Sequence, residues 1–269
     1  MLNEPTSENE RKPSKMTKPP KFTIDLTKEF ARLPNAPIVE AVIQWQAATT
    51  KSLDATELQS ELAMRFPDFS LHTQHRLEAG VKGTSSGVEL HQRSHWDGFR
   101  MTSKDDKYVC QWKADTLVFS RLAPYEDWES FMTAATPFWN AFQTMSATVS
   151  LERLGVRFIS QIALKSGEKI SDYVKRVPPP LKGLGLRSKS FFHQDTIPIG
   201  DYPYEVRLVR VLQPAQPPMS PETSLIVDID VSTTEATSMD SVEFRLNEMR
   251  FLKNAVFFAF MHDAEQKFR

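Results

Sequence analysis

Along LPNAPIVEAVIQWQ, Leu33 to Gln46, apolar and polar residues alternate with a period of two. Pro37, Val39, Ala41, Ile43 and Trp45 form one wholly apolar face. Ile38, Glu40, Val42, Gln44 and Gln46 form a mixed one, as in a strand with one dry side. In LDATELQSELAMRF the period lengthens. Asp54 and Glu57 make a capping box, Leu53 and Leu58 a hydrophobic staple, and Leu58 and Leu62 a buried stripe. A helix from Asp54 to about Phe66 follows, ended by Pro67. Short strands are expected from Val88 to Arg121, with hairpin turns at WDG and KDDK. YEDWESFMTAATPFWNAFQTM then puts Trp128, Phe131, Met132, Ala135, Phe138, Trp139 and Phe142 on one helical face.

The order then recurs. SLERLGVRFISQIAL alternates as a strand, with Leu154, Val156, Phe158, Ser160 and Ile162 opposite Arg153, Gly155, Arg157, Ile159 and Gln161. A short helix near Ile170 to Val177 stops at Pro178, and strands are expected around Phe191 to Ile199, Tyr204 to Leu212 and Ser224 to Val231. A closing helix from about Met239 to Phe268 carries Val242, Leu246, Met249, Leu252, Val256, Phe257 and Phe260. The expected fold class is therefore α+β with pseudo-duplicated halves. Each half reads strand, helix, antiparallel strands and long helix, giving two sheets backed by long amphipathic helices. The boundaries place a disordered tail at 1–30, rich in Lys, Pro, Glu, Ser and Thr, a first half at 31–147 and a second at 148–269.

Three segments resemble a sporadically distributed prokaryotic family of uncharacterised proteins. They are PIVEA at 37–41, RLGVRFIS at 153–160 and LIVDIDV at 225–231. Phe158 and Ser160 depart from that family's usual aromatic and amide. The resemblance spans about Leu33 to Phe268 and brings no activity with it. It implies a prokaryotic cytoplasmic protein with the irregular distribution of genes on mobile or defence loci.

Composition narrows the chemistry. The 33 basic and 34 acidic residues leave a net charge of −1, without the global basicity of a dedicated nucleic-acid binder. Cys110 is the only cysteine, which excludes an intrachain disulfide or a multi-cysteine metal site and fits a reducing cytoplasm. No secretory signal or spanning apolar run is present, so no membrane association is expected.

Glu40, Arg153, Arg157, Asp228 and Asp230 are charges set in strands otherwise fit for a core. Because stranding a half-buried charge costs several kcal/mol, they are expected to form a structural ion-pair network. In it the opening strands of the two halves lie side by side, and Glu40 pairs with Arg153 or Arg157. That architectural role is preferred over catalysis. An alternative is a Mg²⁺-dependent phosphoesterase using Glu40, Asp228 and Asp230, since D-x-D puts two carboxylates on one strand face. GTSSG at 83–87 spells a nucleophile elbow but lacks the buried strand before and the helix after it. His72, His75, His91 and His95 cluster without a zinc-binding pattern. Arg93, Trp96 and Arg100 are candidate nucleic-acid contacts, and the Pro-rich Leu212 to Ser224 reads as a spacer. No catalytic residue, cofactor or metal is called for. The expected function is a non-enzymatic protein-interaction or regulatory module, with a protein partner encoded by a neighbouring gene. Nucleic-acid binding is the alternative.

Overall fold

The computed structural model describes residues 22–51, 54–84, 87–177, 188–215 and 222–269, with the backbone alone over 79–84 and 87–93. The strands are β1 (Ile38–Thr49), β2 (Phe69–Thr84), β3 (Gly87–Ser103), β4 (Tyr108–Trp112), β5 (Thr116–Leu122), β6 (Thr148–Leu164), β7 (Phe191–Pro198), β8 (Tyr204–Gln213) and β9 (Thr223–Thr233). The helices are α1 (Ala55–Arg65), α2 (Trp128–Ser146), α3 (Val242–Phe260) and the short α4 (Ala264–Lys267). All strands join one sheet in the order β2-β3-β4-β5-β1-β6-β9-β8-β7, antiparallel at every pairing.

This corrects the expected fold class. There are not two sheets with a long helix behind each, but a single nine-stranded sheet with few helices. In each half the opening strand pairs with that half's last strand, β1 with β5 and β6 with β9. The opening strands then pair with each other, with Ala41 opposite Phe158, Ile43 opposite Val156 and Trp45 opposite Leu154. An unpaired strand edge leaves a row of open amides, and joining the two edges satisfies both.

One side of the sheet carries the core. Ala41, Ile43 and Trp45 of β1 and Leu154, Val156 and Phe158 of β6 share a buried cluster with Leu58 and Leu62 of α1, Phe131 and Phe142 of α2, and Leu246 and Met249 of α3. Trp45 stacks on Trp139 with ring centroids 5.4 Å apart. The helix starts follow local rules. Asp54 caps α1 by accepting from Thr56 N and Glu57 N, and Asp127 caps α2 by accepting from Ser130 N. Leu53 of the expected staple lies outside the described residues.

Several local expectations shift. Phe69–Thr84 is a strand, and β2 pairs with β3 along its whole length. WDG is not a turn but an irregularity inside β3, where Gly98 takes φ 130°. The short helix after β6 is a single 3-10 turn, Ile170–Asp172. The closing helix ends at Phe260, and α4 follows after a break in which Asp263 has φ 44°. Residues 1–21 of the expected tail lie outside the described residues. Phe22 to Phe30, assigned to that tail by composition, lies along α3, with the Phe30 ring 5.4 Å from Phe251 and 5.5 Å from Phe258. Among the described residues no helix is long and apolar enough to cross a membrane.

Gly98 offers a test of the strand geometry. A Cβ there would lie 2.0 Å from the Trp112 carbonyl oxygen, on a backbone conformation that disfavours side chains. Gly98→Ala is expected to lower stability by about 2–4 kcal/mol in urea unfolding.

Candidate functional site

The side of the sheet away from the core displays a ladder of charge across β6, β9 and β8. Strand alternation puts Arg153, Gly155 and Arg157 on it from β6, Asp228 and Asp230 from β9, and Arg207 from β8. Asp228 accepts from Arg157 Nε at 2.8 Å and from Nη2 at 2.6 Å, a bidentate pair. Asp230 accepts from Arg207 Nη2 at 2.7 Å and from Arg153 Nη2 at 3.2 Å, and Arg153 also donates to Gln44 Oε1 on β1 at 2.7 Å. The aspartates are buried beneath the partly exposed guanidinium groups. The Asp228 hydrogen bonds raise the Arg157 pKa against the opposing effect of burial, with the charges of Asp228, Asp230 and Glu40 adding.

Gly155 makes this arrangement possible. A Cβ on it would meet Arg153 Nη1 at 2.8 Å, so the guanidinium lies over the glycine on its way to Asp230 and Gln44. RLGVR therefore reads as two cations with a seat between them.

Arg153, Arg157, Asp228 and Asp230 form ion pairs, whereas Glu40, expected to pair with Arg153 or Arg157, has no ion pair among the described residues. The opening strands are adjacent as expected, with Glu40 opposite Ile159 and Arg157 opposite Val42. Asp228 is also opposite Ile159, on the other flank of β6. Glu40 and Asp228 thus occupy matching diagonal positions about Arg157. The guanidinium takes the buried aspartate, which has little water to replace it. Glu40 is half-buried, is left to solvent, and acts on Arg157 only through its longer-range charge. Arg207 and Gln44 complete the ladder. Their signal was the alternation of β8 and β1, but only the strand order shows where it leads.

The other candidate residues scatter. Arg100 is exposed on β3, opposite His72 and Gln111. Trp96 is half-buried against Phe99, with ring centroids 5.6 Å apart, rather than free to stack on a base. The Arg93 and His91 side chains lie outside the described residues, as do residues 216–221 of the Pro-rich spacer. Ser85 and Ser86 of GTSSG lie outside the described residues, and a strand rather than a helix begins at Gly87. Among the described residues no group of three His, Cys, Asp or Glu side chains is placed to hold a metal ion.

On the core side, the same central strands line a pocket of about 530 Å³. Phe158 and Ser160 of β6 and Ile229 of β9 form its floor, Tyr125 and Trp128 one wall, Lys253 and Phe257 of α3 another, and Phe30 its edge. Lys253 Nζ lies 3.9 Å from the centre of the Phe158 ring, with no acid in salt-bridge reach among the described residues. Burial lowers its pKa to about 7, and the nearby Arg250 charge adds to the effect. Burial likewise raises the Tyr125 hydroxyl. The sequence held a sign of this lysine, since Lys253 falls four residues after Met249 and four before Phe257, inside the buried stripe of α3.

No protein-family model matches the chain, and no curated protein matches its sequence.

Four substitutions test this geometry. Glu40→Gln is expected to change stability by less than about 0.5 kcal/mol, and Gly155→Ala, which displaces only the end of a flexible side chain, by less than about 1 kcal/mol. Asp228→Ala exposes Arg157 without its partner and is expected to cost about 1–3 kcal/mol in urea unfolding, since the guanidinium keeps partial access to water. Lys253 has a pH signature. Its folded pKa is about 7 against an ordinary 10.5, so folding releases a proton between those values and the lysine disfavours the fold most below the lower one. Lys253→Met is therefore expected to raise Tm, and by more at about pH 6 than at about pH 10.

Proposed function

We propose that the protein is a non-enzymatic interaction module whose protein partner docks on the side of the nine-stranded sheet away from the core, which no described helix covers. The observation that carries this reading is the balance of charge on this side, where three guanidinium groups face Asp228, Asp230 and the nearby Glu40. Arg153, Arg157 and Arg207 are all spent on Asp228 and Asp230. Around them lie half-buried apolar residues, Val42 and Val118 on one flank and Ile159 and Ile226 on the other. A mixed surface with matched charge suits a protein face that is itself part apolar and near neutral.

The same balance weighs against the other readings. Phosphates bind free cations, and here each guanidinium already holds a buried carboxylate that would repel a nucleic-acid backbone. Mg²⁺ needs carboxylate lone pairs, and those of Asp228 and Asp230 are taken by guanidinium donors. A partner encoded beside this gene agrees with the family resemblance of the three central strands.

The test is a pair of substitutions on this side, Val118→Lys with Ile226→Lys, against Glu243→Lys on exposed α3 as the control. The wild type and the control are expected to co-purify at native level with the same stoichiometric protein, and the double variant, with unchanged Tm, is expected to lose it. Retention on DNA or RNA that falls steeply with salt would replace this reading with nucleic-acid binding.

A further inference from the structure

The aromatic pocket contains more unpartnered polar groups than its packing accounts for. Lys253 Nζ, the Ser160 hydroxyl, the Asn254 amide and the Tyr125 hydroxyl all line it, and none has a side-chain hydrogen-bond partner among the described residues. Lys253 is half-buried with its ammonium turned into the pocket, and a lysine so desolvated usually has an acid beside it. The ring face of Phe158 returns part of that loss, but it supplies no acceptor. Phe158 is itself held edge-on by Tyr125, with centroids 5.3 Å apart at 81°, so the floor is set before anything binds. Arg250, the other cation on this stretch of α3, already donates to Glu129 at 2.7 Å. On α3, Lys253 is therefore the cation left open to a ligand, with Arg32 of the N-terminal segment as a second cation at the pocket.

From this geometry we infer that the pocket is a binding site for a small monocarboxylic acid with a flat or branched apolar body. Its carboxylate takes the missing place beside Lys253 Nζ, with Ser160 Oγ and the Asn254 amide as further donors. Its apolar body lies among Phe30, Trp128, Phe158 and Phe257. The pocket's volume of about 530 Å³ falls within the range of roughly 300–1,000 Å³ typical of small-molecule sites. The site uses the helix side of β6 and is independent of the docking surface proposed above.

The titratable groups facing Lys253 are Tyr125, Glu126, Asp127 and Glu129 around the start of α2, Arg250 on α3 and Arg32 on the N-terminal segment. The floor strands present only Phe158, Ser160 and Ile229. Glu129 is matched by Arg250, and Glu126 is drawn away by Arg121, to which it accepts at 2.9 Å. Asp127 is committed to its helix cap, and its pKa is lowered by the Ser130 amide it accepts from. Carboxylate binding is thus coupled mainly to protonation of one amine. The ligand raises the amine's pKa and draws in a proton wherever the empty site is neutral.

The experiment uses the full chain and four probes, benzoate, phenylacetate, indole-3-acetate and the uncharged phenylacetamide, titrated calorimetrically in two buffers of different ionisation enthalpy. At least one acid is expected to bind with uptake of close to one proton at about pH 8, its affinity falling about tenfold per pH unit above neutrality. Phenylacetamide is expected to bind more weakly and without proton uptake. Lys253→Met is expected to lose the proton uptake and roughly 10- to 100-fold in affinity for the acid, and Ser160→Ala about fivefold. The inference is overturned if none of the three acids binds, if the bound acid takes up no proton, or if the amide binds as tightly as its acid. The wild-type proton count decides the matter even if a variant misfolds.

Discussion

The antiparallel pairing of β1 with β6 is the contact on which the other features rest. It closes two inner strand edges against each other and joins the strands on either side into one sheet. It also fixes which residues share a side. In β6, Arg153, Gly155 and Arg157 turn away from the core, while Phe158 and Ser160 turn toward it. One segment therefore serves the charged ladder and the aromatic pocket at once. The segments PIVEA, RLGVRFIS and LIVDIDV fall at β1, β6 and β9, which are consecutive in the sheet.

The two sides of β6 treat buried charge in opposite ways. On the ladder side each buried aspartate is capped by guanidinium groups that keep partial contact with water, so desolvation falls mainly on the acid and is offset by charge-assisted hydrogen bonds. On the pocket side a single ammonium sits over a ring with no acid in salt-bridge reach among the described residues, and its proton is held weakly. The first arrangement is complete in itself and behaves as structure that also shapes a surface. The second is incomplete, and that incompleteness points to a ligand.

Much of the local structure was legible in the chain. The Asp54 cap, the Pro67 stop, the apolar face of α2 and the alternation of β1, β6 and β9 all follow from neighbouring residues, because backbone periodicity and capping are local physics. The long β2–β3 pair was not legible. Its residues mix His, Gln, Arg and Gly without clean alternation, and its pairing rests on register between strands rather than on composition. The closing helix was overextended because its apolar stripe continues past Met261, where the backbone turns away.

Taken alone, the sequence determined which side chains lie together on a given strand or helix face: Arg153 with Arg157, Asp228 with Asp230, and Lys253 with Met249 and Phe257. The choice of neighbour was left to the tertiary structure. Glu40 and Asp228 offer Arg157 equivalent diagonal acids, and only the burial produced by the strand order makes Asp228 the partner. Lys253 became a candidate site only when α3 settled over Phe158. Periodicity is a property of the chain in sequence, whereas desolvation belongs to the assembled sheet, and desolvation decides which charges must find partners.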